Sequence, residues 1–101
     1  LISRDDPTDI MAEVAHLLLT AESVDVVFPY FDDNGVAVLK KYFFELKLMH
    51  SLGETYKNAE LIKQTDRYAV FETQIAVNDK VYHGDIVLDK LPDGIWRITS
   101  P

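Results

Sequence analysis

The hydrophobic period of this chain changes once, at Gly53, and that change limits the architecture more than any other feature. Before Gly53 the apolar residues recur at helical spacing, about every 3.6 residues. After it they alternate with polar ones at a spacing of about two. Two kinds of layer in succession, helices and then strands, predict an α+β domain.

The helical half opens with Asp6-Pro7-Thr8-Asp9. Asp6 or Thr8 suits an N-cap, and Pro7 suits a first turn whose N–H groups lack intrahelical partners in any case. Ile10, Val14, Leu17 and Leu18 then give a core-facing stripe, ending near Thr20. Ser23 is placed to cap a short helix through Val24–Phe28, although VDVVF also reads as a strand and Pro29 interrupts a regular helix. Asp32-Asp33-Asn34-Gly35 is turn chemistry, with Asp33 or Asn34 as the cap of a long helix running to about Leu52. Gly53 is expected to supply its left-handed C-terminal cap.

That long helix is apolar on two sides. At about 100° per residue, Tyr42, Phe43, Leu46 and Met49 share one face, while Ala37, Phe44 and Leu48, with Leu52 at the margin, point the other way. Lys40, Glu45 and Lys47 separate the two stripes. The expectation is a sandwich, with the sheet on the Phe43 side and the first helix on the Phe44 side. The alternative leaves Phe44 and Leu48 at a subunit or partner interface. Phe44 and Leu48, with Tyr42 and Tyr82, are therefore the candidate ligand- or partner-binding residues.

The second half divides into strands at about 57–65, 68–77, 80–90 and 95–99. Asp66-Arg67, Asn78-Asp79 and Leu91-Pro92-Asp93-Gly94 join them, and such short links predict an antiparallel meander. Ala69, Phe71, Thr73, Ile75 and Val77 form the expected core face of the second strand. Tyr82, Gly84, Ile86 and Leu88 form that of the third, and Trp96 and Ile98 that of the fourth. Gly84 suggests a bend or bulge. A helix spanning about 36–52 across the concave side of a four-stranded curved sheet completes the expected fold, one domain over residues 1–101.

The closing segment LDKLPDGIWRITS, residues 88–100, resembles the last hairpin of the cone-shaped, cystatin-like domains grouped with nuclear transport factor and ketosteroid isomerase, in which a strand, a D-G turn and a W-x-I strand close the sheet. The order of elements agrees with that group across most of the chain. The resemblance implies a pocket between helix and sheet, and a group that holds isomerases, dehydratases, transport adaptors and many secreted bacterial domains without chemistry. An isomerase- or dehydratase-like enzyme would need an acid or tyrosine inside the cone. Tyr30, Tyr42, Tyr82, His16, Asp25 and Asp85 are the residue types available, and none stands at a position matching a catalytic motif of the group. The resemblance thus points to a non-catalytic binding or scaffolding domain, the exported part of a bacterial protein being the setting it favours.

Composition and spacing narrow the chemistry further. A chain of 101 residues with 48% apolar, 11% aromatic and 27% charged residues folds as an ordinary globular domain. The absence of cysteine removes disulfides, thiol nucleophiles and thiolate metal sites. The net charge of −7 comes from residues 1–39, which hold eight acids against Arg4 alone, whereas the remainder is balanced. That distribution argues against binding nucleic acid. His16, His50 and His83 sit on separate elements without metal-site spacing, and His50 is explained by the last turn of its helix. Asp32–Gly35 lacks the oxygen at Val36 and the closing glutamate of a calcium loop. Glu72, Gln74, His83, Asp85 and Arg97 share the outer sheet face, where cross-strand pairing accounts for them and a pH-sensitive patch is the alternative. No cofactor is implied. The partners these surfaces admit are a protein, a second copy or a small apolar ligand. The chain begins with Leu1, so any signal or anchor would precede it, and no apolar run approaches the roughly 20 residues of a membrane span.

Overall fold

The computed structural model describes residues 6–101, with the side chains of residues 75–77 outside that description. The fold is α+β, with helices first and a four-stranded antiparallel sheet after them. Helix α1 spans Pro7–Thr20, a 3₁₀ helix spans Val24–Tyr30, α2 spans Asp33–Tyr42 and α3 spans Leu46–Lys57. Strands β1 (Glu60–Gln64), β2 (Tyr68–Val77), β3 (Lys80–Lys90) and β4 (Trp96–Ser100) pair in sequence order.

Helix α1 starts where the sequence indicates, because the Asp6 carboxylate accepts the Thr8 N–H at 2.8 Å and Pro7 takes the first helical position. Its stripe of Ile10, Met11, Val14, Ala15 and Leu18 is wholly buried, whereas Leu17 is half-buried against the core. α1 packs against α3, the 3₁₀ helix and β4. It therefore fills the centre of the molecule, a role expected of the helix over 36–52. Val24 and Val27 of the 3₁₀ helix close over it, and Pro29 lies inside that helix. Ser23 makes no side-chain cap to the backbone, since its hydroxyl is engaged by the Asp25 carboxylate.

The N-cap of α2 is Asp32 rather than Asp33 or Asn34. Asp32 is still extended (φ −79°, ψ 179°) and its carboxylate accepts the Gly35 N–H at 2.8 Å, while the next two residues are already helical. A parallel bridge from Phe31 to Ile98, with the Asp32 N–H donating to the Ile98 carbonyl at 3.1 Å, fixes this corner to β4.

The long helix expected to about Leu52 is two helices. α2 ends at Tyr42, with Phe43 at φ −124°, ψ 26° as its C-cap, and α3 restarts after Glu45 and runs on to Lys57. Gly53 is consequently inside α3, not at its end. It is buried where α3 crosses α1, and a Cβ there would lie 2.9 Å from the Leu19 Cγ. The missing side chain serves close helix approach instead of a left-handed cap. The first strand accordingly begins at Glu60, since Lys57 belongs to the helix.

The sheet follows its expected register. β2 and β3 pair without interruption from Tyr68↔Asp89 to Val77↔Lys80, and Asn78 (φ 49°) and Asp79 (φ 66°) take the two positive angles that a tight two-residue hairpin turn requires. No register shift occurs at Gly84. The shifts fall at Leu61/Lys63 and Val87/Leu88. Ala69, Phe71, Thr73, Ile86, Leu88, Trp96 and Ile98 form the buried face. The core-face assignments of Ile75 and Val77 lie outside the described side chains. Tyr82 and Gly84 leave the expected core, because Lys80–Asp85 are all exposed. The outer half of the β2–β3 hairpin projects past the helices, consistent with a longest dimension of 40 Å and an 11-residue strand rising about 3.3 Å per residue.

Candidate functional site

The break between α2 and α3 is made without proline or glycine. The Phe43 N–H donates to the Leu39 carbonyl at 3.0 Å as the last bond of α2, and the Met49 N–H donates to the Glu45 carbonyl at 2.9 Å as an early bond of α3. Each helix then turns its own stripe inward: Gly35 and Leu39 from α2, and Met49, Leu52, Gly53 and Tyr56 from α3. Phe43 packs half-buried against the core.

That arrangement leaves the residues around the break outside. Tyr42 is 54% exposed, Phe44 65%, Leu46 49% and Leu48 41%. The expected cover of the Phe44 stripe by α1 is absent, because α1 meets α3 along the Gly53 side, and of that stripe only Leu52 is buried. Tyr42 and Leu46, expected to face the core with Phe43, are also exposed. The second apolar face of this segment is thus only partly covered within the chain, with Phe44 the most exposed.

Three lysines and one acid lie within or next to this segment in sequence. Lys41 places its Nζ 5.3 Å from the Tyr42 ring centroid, and Lys40 places its Nζ 5.5 Å from that of Phe28. Such contacts hold the ammonium groups beside the aromatic surface. Lys47 and Glu45 complete the set, all exposed. A shallow groove lined by Leu19, Leu46, His50 and Ser51 runs from the corner along α3. His50 lies near the start of α3, so the favourable helix C-terminus expected for it does not apply. Tyr82, the fourth candidate, lies apart from these on the projecting hairpin, 54% exposed with Val81 beside it at 57%.

A second feature, unassigned by the sequence, is a cavity of about 420 Å³ between α1, α3 and the sheet. Its walls are Met11, Ala15 and Leu19 of α1, Tyr56 of α3, Ala59, and Phe71 of β2, while Thr8, His16 and Lys57 stand exposed at its mouth. Tyr56 is 2% exposed and its hydroxyl has no hydrogen-bond partner among the described residues. Burial raises its pKa well above the usual phenol range, so the hydroxyl stays protonated as a donor. An unmet buried hydroxyl costs about 1–3 kcal/mol. The sequence held one signal for this residue: Met49, Leu52, Gly53 and Tyr56 keep a helical stripe running past the glycine.

The outer-face polar cluster resolves into local pairs. His83 Nδ1 lies 3.5 Å from a Glu72 carboxylate oxygen with both side chains solvated, and Arg97 donates to Asp93 at 2.9 Å. The Ile95 N–H, and secondarily Arg97, hold the Asp93 carboxyl below the ordinary range. Among the described residues no group of three or more metal-ligating side chains converges, and no helix is long and apolar enough to cross a membrane. Comparison with known protein families, curated proteins and solved structures gives no match.

Proposed function

We propose that this chain is a non-catalytic binding module that holds a protein partner at the α2–α3 corner. The carrying observation is that Tyr42, Phe44, Leu46 and Leu48 stand exposed together within seven residues, at a break that also brings Leu39 and Met49 into the core. Large apolar side chains grouped on a surface are the usual anchors of protein contacts, aromatic ones especially. The partner chemistry that suits the corner is an apolar socket with an acidic rim, facing Lys40, Lys41 and Lys47. A second copy suits it less well, since a two-fold contact repeats the same patch on both sides and sets lysines against lysines.

The cavity supports binding over acid–base chemistry. Its lining holds no carboxylate among the described residues, and its histidine is exposed at the mouth. The order of helices and meander, together with the Trp96–Ile98 strand, supports grouping the chain with the cone-shaped domains that its last hairpin resembles.

The test is photo-cross-linking in cells that encode the protein, with p-benzoylphenylalanine at position 44. One saturable adduct should form, and excess wild-type chain should compete it away while Phe44→Asp/Leu48→Lys does not. Equal competition by both chains would remove the corner as the binding surface.

A further inference from the structure

A sheet edge left straight and uncovered pairs readily with another chain, so edges are usually blunted by bulges, lysines or covering segments. Here β1 carries a register shift at Leu61/Lys63, with Lys63 Nζ 5.3 Å from the Tyr68 ring centroid. β4 is bridged by Phe31, and its Ile98 carbonyl accepts the Asp32 N–H. One stretch is not protected in this way. β4 pairs with β3 only from Val87 onward, so Lys80–Ile86 has β2 on one side and no strand among the described residues on the other. Its pairing with β2 is unbroken, it holds no proline, and its one lysine stands at the turn. In a two-residue hairpin the positions flanking the turn, Val77 and Lys80, exchange hydrogen bonds, and the ladder alternates from there. The backbone groups of Tyr82, Gly84 and Ile86 therefore face β2, while those of Val81, His83 and Asp85 face outward. The Val87 carbonyl, next in the outward series, does turn toward β4, where the Thr99 hydroxyl donates to it at 3.4 Å.

We infer that this edge of β3 pairs with the same edge of a second copy, antiparallel over Val81–Asp85, about a two-fold axis at His83. Three outward residues spaced two apart are symmetric about the middle one, so each copy offers donors where the other offers acceptors. A two-fold contact needs that self-match. The turn at Asn78-Asp79 and Ser100 opposite Val87 bound the free stretch, and the register centred between them sets Tyr82 opposite Gly84 and Val81 opposite Asp85, reciprocally. Tyr82 is 54% exposed, and among the described residues a Cβ on Gly84 would meet only the Thr73 Oγ1. The ring of one copy thus covers the bare backbone of the other, as aromatic residues do across from strand glycines. No lysine meets lysine and no aspartate meets aspartate, in contrast to a two-fold contact at the α2–α3 corner. His83, with its Nδ1 3.5 Å from Glu72, also lies diagonal to the Asp85 of the second copy. The free edge of β2 offers less, since only Gln74 and Ala76 face outward past Glu72.

The experiment follows the full chain by NMR amide exchange and by sedimentation from about 20 μM to about 1 mM, the range suited to so small an interface. The dimer fraction should rise with concentration, and the N–H groups of Val81, His83 and Asp85 should become protected with it. Those of Tyr82 and Gly84, already bonded within the hairpin, should change little, and those of Gln74 and Ala76 should stay unprotected. Two substitutions at an exposed position then test the register. Val81→Asp, which sets carboxylate against the Asp85 carboxylate of the second copy, should weaken the dimer about fivefold, and Val81→Lys should tighten it by a similar factor. Both should keep the thermal transition. A lysine added to an edge ordinarily opposes association, so weakening by both variants would overturn this pairing. Protection at Gln74 and Ala76 instead, or association that shifts Phe44 and Leu48 but not the hairpin, would overturn it as well. A chain that stays monomeric at about 1 mM would also overturn it and leave the edge to a strand from another protein.

Discussion

Gly53 of α3 faces Leu18 of α1 so closely that a Cβ on the glycine would lie 3.0 Å from the Leu18 Cβ. The contact sets the distance between the two helices and, through it, the position of Tyr56 one turn further on. A glycine within a helix normally costs about 1 kcal/mol relative to alanine. Here the helix preference opposes a steric cost of about 1–3 kcal/mol. Gly53→Ala should therefore lower stability in urea unfolding, and a gain in stability would show that the helices are free to separate.

The corner makes the opposite kind of claim. Because Phe44 is 65% and Leu48 41% exposed, Phe44→Ser/Leu48→Ser should cost less than about 1 kcal/mol per site, well below a core truncation. Met49→Ala, in the core, should cost about 2–5 kcal/mol. Urea unfolding of both variants makes the comparison, and a large loss in the serine variant would mean that these side chains are covered in the folded chain.

Much of this was legible because it is local. The Asp6-Pro7 start depends on residues adjacent in sequence, and so does the Asn78-Asp79 turn, whose positive φ angles those residue types tolerate. The sheet faces were legible for Ala69, Phe71, Ile86, Leu88, Trp96 and Ile98, since alternation fixes direction. It does not fix how far a covering helix reaches, and so alternation points Tyr82 inward although it lies beyond the helices.

The break at Phe43–Glu45 was not legible. Leu39, Tyr42, Leu46, Met49 and Gly53 keep a spacing that one unbroken helix accommodates, and no residue in 43–45 forbids that helix. Tertiary packing decides it, by anchoring α2 to β4 through Phe31 and Ile98 and α3 to α1 through Gly53. The same long-range contact made Gly53 a packing residue where local chemistry favoured a cap, and it extended α3 to Tyr56, which strand assignment from about residue 57 had left without a role.

Tyr56 also makes stability depend on alkaline pH. Its phenol ionises near pH 10 in the unfolded chain and higher in the folded one, so between those values the folded state holds the extra proton. Stability is then complete below about pH 10 and falls as pH rises through and above it. Thermal unfolding across pH 8 to 11 should show this loss, with a smaller slope in Tyr56→Phe. At neutral pH that variant should be no less stable than the wild-type chain, because the hydroxyl it removes is unpaired; a clear loss would place a structural hydrogen bond on Tyr56.

Thr73 provides a check on the sheet. Its hydroxyl is buried and donates to the Gly84 carbonyl at 3.2 Å across the β2–β3 ladder. Thr73→Val keeps the shape and removes the donor, so about 0.5–1.5 kcal/mol should be lost. An unchanged urea midpoint would show that the hydroxyl makes no net contribution at this position.

The exposure of the apolar corner is tested most directly by thiol labelling, for which a cysteine-free chain is well suited. Single cysteines replacing Phe44, Leu48 and Met49 are labelled in the native protein under conditions where each variant is monomeric. Positions 44 and 48 should react at rates close to those of the unfolded chain, and position 49 slower by orders of magnitude. Equal protection at 44, 48 and 49 in the monomer would mean that the chain covers its own corner, and the binding surface proposed there would not exist.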